Sequence, residues 1–138
     1  MDIESVQRRA TRVIDGCKEL SYPERLKKLK LTTLLERRMR GDLIETYKIV
    51  HGLTNYGQKC FKTSDRTRNL VVKENQHNKM HFFFNRVVKY WNLLPVHVKD
   101  SPSVNTFKNR IDKFRTIHFD TVTTGQYWEM SYMIYQRL

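Results

Sequence analysis

Apolar positions recur at helical spacing through most of this chain, and the breaks in that rhythm divide it into segments. Ile3, Val6, Ala10, Val13 and Ile14 stand three or four apart and predict a helix over about residues 2–15. Asp2 is its expected N-cap and Gly16 its stop, with Gln7, Arg8, Arg9, Thr11 and Arg12 on the opposite, solvated side. A second helix opens at Ser21-Tyr22-Pro23-Glu24, where Ser21 and Glu24 have capping-box spacing and Pro23 falls in the first turn. Leu26 and Leu29 are its inward residues, Arg25, Lys27, Lys28 and Lys30 surround them, and the helix is expected to stop near Leu31. Thr33 and Glu36 repeat the capping signature before a stripe of Leu35, Met39, Leu43, Tyr47 and Val50. That third helix runs to His51 with Gly52 at C′, and Gly41 sits in its middle, where glycine disfavours a helix by about 1 kcal/mol relative to alanine.

Residues 53–78 break the period. Asn55, Gly57, Thr63, Ser64, Asp65 and Asn69 mark a long loop, within which Asn69 to Lys73 suits a short strand. The rhythm returns over about 79–94 with Met80, Phe84, Val87, Trp91 and Leu94, widened by Phe83, Val88 and Tyr90, and Pro95 ends it. A fifth helix begins near Ser101-Pro102-Ser103 and buries Val104, Phe107, Ile111 and Phe114, leaving Lys108, Asn109, Arg110, Asp112 and Lys113 to solvent. The pattern loosens after Arg115; 121–125 suits a loop, and the aromatic stretch 127–137 fits a short helix or a strand equally well. The expected fold is therefore mainly α: a small bundle of about five helices with one long basic loop and an aromatic C-terminal tail. The division expected is a helical domain over 1–115 and a divergent tail over 116–138.

Charge changes this picture more than composition does. The chain carries 26 Lys+Arg against 14 Asp+Glu, a formal +12. Such a surplus favours a polyanion, RNA or DNA, through counterion release and long-range attraction. Arg8, Arg9 and Arg12 cluster in the first helix, Lys27 and Lys28 in the second, and Arg37, Arg38 and Arg40 at the start of the third. Lys59, Lys62, Arg66 and Arg68 lie in the long loop, with Asp65 the acid among them. Guanidinium suits phosphate because its planar fork donates paired hydrogen bonds. These twelve side chains are the expected nucleic-acid contacts, against the alternative of solvated helix faces paired to Glu4, Glu36 or Asp42. Phe82, Phe83, Phe84, Tyr90 and Trp91 suit a base-stacking platform, but Phe84 and Trp91 fall on the apolar stripe, which favours core packing.

Other chemistry is sparse. Asp2, Asp15, Asp42, Asp65, Asp100, Asp112 and Asp120 include no adjacent pair of the kind a polymerase palm uses to hold metal ions, so no catalysis is expected from this chain alone. There is no Gly-rich phosphate loop. His77 and His81 share helical spacing and Cys60 is a conceivable third ligand, a set short of the four that structural zinc wants, so neither metal nor cofactor is expected. Cys17 and Cys60 are expected to pack as small apolar side chains in a reducing compartment. No apolar run approaches the ~20 residues of a membrane span, and Met1-Asp2-Ile3-Glu4 does not resemble the start of a secretory signal. An intracellular location, nuclear or cytoplasmic, without membrane partners is the expectation; oligomeric state is left open.

Several runs together carry a family likeness. ESVQRRATRVI (4–14), LSYPERL (20–26), LTTL (31–34), RRMRGDLIETYKI (37–49), FFNRVV (83–88), WNLLP (91–95) and SVNTFK (103–108) resemble, in order and spacing, the region following the thumb in non-long-terminal-repeat retrotransposon reverse transcriptases of the jockey and chicken-repeat type. The likeness spans about residues 3–114. Lys30 departs from it, standing where the family pattern has glycine between two leucines; residues 66–70 follow the family's loop in part, and no likeness extends beyond Arg115. The resemblance implies descent from an element that copies RNA into DNA, with palm and endonuclease upstream of this segment. It implies no catalytic residue here. It leaves open nucleic-acid binding, docking on a polymerase thumb, a fragment that works only when joined to its palm, or an element remnant without selected function.

Overall fold

The computed structural model describes residues 3–72 and 80–120. The fold is mainly helical: α1 (Ile3–Arg12), α2 (Tyr22–Leu29), α3 (Leu34–Val50), a 3₁₀ turn (Gln58–Cys60), strands β1 (Phe61–Thr63) and β2 (Leu70–Val72), then α4 (Met80–Leu93), α5 (Val96–Lys99) and α6 (Val104–Asp120). The aromatic stretch 127–137 and the residues 73–79 lie outside the described residues.

The central element is α3, which packs against α4 and α6 while β2 lies on α4. The α4 and α6 stripes are buried as their periodicity predicts: Phe84, Val87, Trp91 and Leu94 from α4, Phe107 and Ile111 from α6. Tyr47 stacks on Phe107 at 4.5 Å between ring centroids, and Phe61 meets Phe84 edge-on at 4.8 Å. Phe84 and Trp91 are thus core, and Phe83 and Tyr90 pack against it half-buried. Cys17 and Cys60 are both buried. From α3 the core takes Leu43, Tyr47 and also Ile49, which the sequence stripe passed over in favour of the half-buried Val50.

Two local expectations are corrected. The long loop after α3 contains a hairpin: β1 pairs antiparallel with β2 in the register Phe61↔Val72, Lys62↔Val71 and Thr63↔Leu70. Its inward residues Cys60, Phe61 and Leu70 join the main core. Helix α6 continues past Arg115 to Asp120, and the one-turn α5 fills part of the gap after Pro95. An added Cβ at Gly41 would meet nothing within 4 Å, so no close helix approach depends on that glycine.

The largest correction concerns α1. Its apolar residues were expected to face inward, yet Val6 is 51% exposed, Val13 83% and Ile14 43%. Ala10 is exposed too, and the helix ends at Arg12 rather than near residue 15. The polar side is the buried one. Gln7 Nε2 donates to the Tyr22 hydroxyl (3.1 Å) and the Thr32 carbonyl (2.9 Å). Thr11 accepts from Arg25 Nε at 3.2 Å. Arg25, expected in solvent, is buried and also donates to the Leu20 and Arg8 carbonyls. Glu4 accepts from the Tyr22 hydroxyl and from the Leu34 and Leu35 amides at the start of α3, where a carboxylate is favoured by the helix dipole. Burial, reinforced by the hydrogen bond to Glu4, pushes the Tyr22 phenol up to about 12. With those bonds made, burying the polar face is no worse than burying the apolar one.

The ends of α2 and α3 follow the sequence signals closely. Both capping boxes form, at Ser21/Glu24 and Thr33/Glu36. Gly52 (φ +68°) closes α3, with Leu53 N–H donating to the Lys48 carbonyl at 2.8 Å and Gly52 N–H to Ile49 at 3.2 Å. Helix α2 ends the same way, Leu31 N–H donating to Leu26 (2.9 Å) and Lys30 N–H to Lys27 (3.2 Å), but Lys30 occupies the left-handed position at φ +53°. A side chain there is strained where glycine is not. Lys30→Gly is therefore expected to raise stability by about 1 kcal/mol in urea denaturation; a fall would mean that the exposed lysine makes a contact worth more than the strain.

Candidate nucleic-acid interface

The hairpin after α3 is built to hold a fixed shape. At Gly57 (φ +79°) the chain turns tightly over Ile49, and an added Cβ would approach that side chain to 3.1 Å. Phe61 and Leu70 then point into the core while Lys62 and Val71 face out, as strand alternation requires. Ser64 N–H donates to the Asn69 carbonyl (2.9 Å) and Arg68 N–H to the Ser64 carbonyl (2.8 Å), closing the tip with Arg68 in the left-handed region at φ +54°.

Side chains from α4 and α5 clamp the returning strand. Trp91 Nε1 donates to the Arg68 carbonyl at 2.9 Å. Asn92 brackets Leu70, its Oδ1 accepting from the amide at 2.8 Å and its Nδ2 donating to the carbonyl at 3.0 Å. Asn92 thus serves the outer edge of β2 as a neighbouring strand would. Buried Lys99 donates from Nζ to Asn69 Oδ1 (2.8 Å) and the Thr67 carbonyl (3.3 Å), and Arg68 pairs with Asp100 at 3.2 Å. Burial pulls the Lys99 ammonium down, opposed by Asp100. Trp91, Asn92 and Lys99 were not foreseen in this role. Trp91 was legible as core, but a short-range pattern carries no signal that its indole N–H reaches a residue 23 positions earlier.

The twelve cations chosen from sequence divide into two groups. Five are engaged. Arg8 lies over the Tyr22 ring, 5.1 Å from its centroid. Lys28 donates to the Gly16 carbonyl at 2.8 Å. Arg37 reaches Gln7 Oε1 (3.4 Å) and the Thr32 carbonyl (3.5 Å). Arg40 forms a two-pronged pair with Asp112 at 2.8 Å in each bond, and Arg68 has Asp100. Asp112 and Arg110, expected in solvent, are thereby both in use: Arg110 donates to the His97 carbonyl and to Ser101 Oγ.

The remainder are exposed. Arg12, Lys27, Arg38, Lys59, Lys62 and Arg66 have side chains with no hydrogen-bond or carboxylate partner among the described residues, and Arg9 has a long 3.4 Å bond to the Ser5 carbonyl. Of these, Lys59, Lys62 and Arg66 share the clamped hairpin. A depression of about 280 Å³ beside it, lined by Ile49, Val50, Gly52, Gln58, Phe61 and Thr63, has no titratable side chain in its wall. His77 and the side chain of His81, weighed as metal ligands with Cys60, lie outside the described residues. No helix among the described residues is long and apolar enough to cross a membrane.

No family model, curated protein or solved structure matches this chain.

Proposed function

We propose that the chain is a non-catalytic nucleic-acid-binding module, for RNA or DNA, derived from the C-terminal region of a retrotransposon RNA-directed DNA polymerase and able to work beside a polymerase core. The observation that carries the binding reading is the hairpin: Lys59, Lys62 and Arg66 are exposed and have no carboxylate partner among the described residues, on a backbone that Trp91, Asn92 and Lys99 hold in place. Cations held in fixed positions lose less freedom on meeting phosphates than cations on a loose loop. The net charge of +12 adds long-range attraction. The descent rests on the ordered sequence likeness over about residues 3–114.

The test is fluorescence anisotropy with single-stranded RNA and with duplex DNA over a range of salt. Binding should weaken steeply with salt, by about 0.9 in logarithmic slope per phosphate contacted on duplex and about 0.7 on single strands. Joint replacement of Lys59, Lys62 and Arg66 by alanine should flatten that slope by about 2–3 on duplex DNA. Folding should be little changed, since these side chains are exposed and make no hydrogen bond or ion pair among the described residues. An unaltered slope would remove the hairpin from the interface, and no binding at low salt would end the polyanion reading.

A further inference from the structure

Helix α1 has turned its polar face inward, and its outer face is left with a use to explain. Val6 and Ala10 stand four residues apart on α1, Val13 follows three residues later just past its end at Arg12 with Ile14 beside it, and all are exposed. Spacing of this kind makes a narrow seam, the form of apolar surface by which two helices pack side by side, rather than the broad stripe that covers a core. Along one side the seam is bounded by α1's own buried residues Gln7 and Thr11, and along the other by the exposed guanidiniums of Arg9 and Arg12. Glu4, the acid within α1, is spent on Tyr22 and the start of α3. The open border of the seam is therefore cationic.

Charge selects among occupants. A second copy meeting this face about a two-fold axis would set Arg9 and Arg12 near their own counterparts, where like charges repel. A lipid surface is favoured by Trp, Phe or Leu on the apolar face, and this one offers two valines, an alanine and an isoleucine. Small and β-branched side chains suit close packing against another helix, and Ala10 lets a neighbouring backbone approach. We propose that the outer face of α1 docks an amphipathic helix of a protein partner whose apolar seam is edged by glutamate or aspartate. The assignment is independent of the polyanion reading, because it depends on the valines as well as on the arginines.

The test uses the full chain and two labelled synthetic amphipathic helices with the same Leu and Ile seam, one bordered by Glu and the other by Lys. The Glu-bordered helix should bind at least roughly tenfold more tightly, since juxtaposed like charge is strongly disfavoured. Joint Val6→Ser and Val13→Ser should abolish that binding and leave nucleic-acid affinity and the thermal transition unchanged. Joint Arg9→Glu and Arg12→Glu should reverse the preference in favour of the Lys-bordered helix. Equal binding of both peptides, binding of neither, or indifference to the valine changes would overturn the proposal. So would partition onto phosphatidylserine vesicles that depends on the valines, which would assign the face to lipid, or concentration-dependent dimerisation lost in the valine variant, which would assign it to a second copy.

Discussion

Trp91→Ala should lower stability by about 3–5 kcal/mol, a large share of the ~5–15 kcal/mol that holds a small domain folded. The indole is fully buried, with Phe107 at 5.9 Å between ring centroids. Its removal opens a cavity where α4 meets α6 and the hairpin, and the rigid helices cannot close around it. It also strips the Arg68 carbonyl of its donor. Trp91→Phe separates the two effects: most of the packing survives, and the loss should fall to about 1–3 kcal/mol, the range for an unsatisfied buried polar group together with a small volume change. Urea denaturation followed by circular dichroism measures both. In Trp91→Phe the hairpin should also exchange its amide hydrogens faster than the helices do, because its tip has lost one of its fastenings. Equal losses for the two substitutions would mean that the hydrogen bond, not the bulk, carries the contribution of this residue.

The second large effect is expected at the ion pair between α3 and α4. Asp42 and Arg86 are joined by two bonds at 2.8 Å, both to Asp42 Oδ2, and their side chains are 16% and 13% exposed respectively. Arg40 and Asp112 are also doubly bonded at 2.8 Å but are 33% and 44% exposed. Arg40 spans both Asp112 oxygens while Arg86 places both bonds on one, but the distances are equal and solvent access is not, so dielectric screening is expected to decide the difference. Arg86→Ala leaves a largely desolvated carboxylate unpaired and should cost about 3 kcal/mol, whereas Arg40→Ala should cost about 1 kcal/mol or less. The double variant Asp42→Ala/Arg86→Ala should be clearly more stable than the sum of its single changes, since removing both partners leaves no orphaned charge. Additive single and double losses would show that each side chain acts through its own packing, including Arg86 over the Phe83 ring at 5.9 Å, and not through the pair.

Much of the candidate interface was visible as charge, and much of its disposition was not. Lys59, Lys62 and Arg66 were chosen from sequence and are exposed without partners among the described residues. Arg40 and Arg68 were chosen with equal reason and are held by carboxylates 72 and 32 positions later in the chain. A cation run states how much charge is present; which cations stay free depends on which acids the fold delivers to them. The second strand fell within the stretch foreseen over 69–73, but the first strand of the hairpin escaped detection for a related reason. Phe-Lys-Thr is too short to show alternation, and β1 exists because Leu70 and Phe61 find the same core.

The sequence by itself determined the five longer helices and the ends of α2 and α3. The α4 and α6 stripes, both capping boxes and the Gly52 terminus depend on interactions within a few residues, and these are the same in any tertiary setting. Tertiary structure decided which side of α1 is covered, that Arg25 and Lys99 are buried, and that the loop after α3 is a clamped hairpin. Amphipathic spacing shows only that a helix has two faces. A polar face can be the inner one whenever distant partners satisfy its hydrogen bonds, as Tyr22, Arg25 and Thr32 do for Gln7 and Thr11, and those partners come together only in the folded chain.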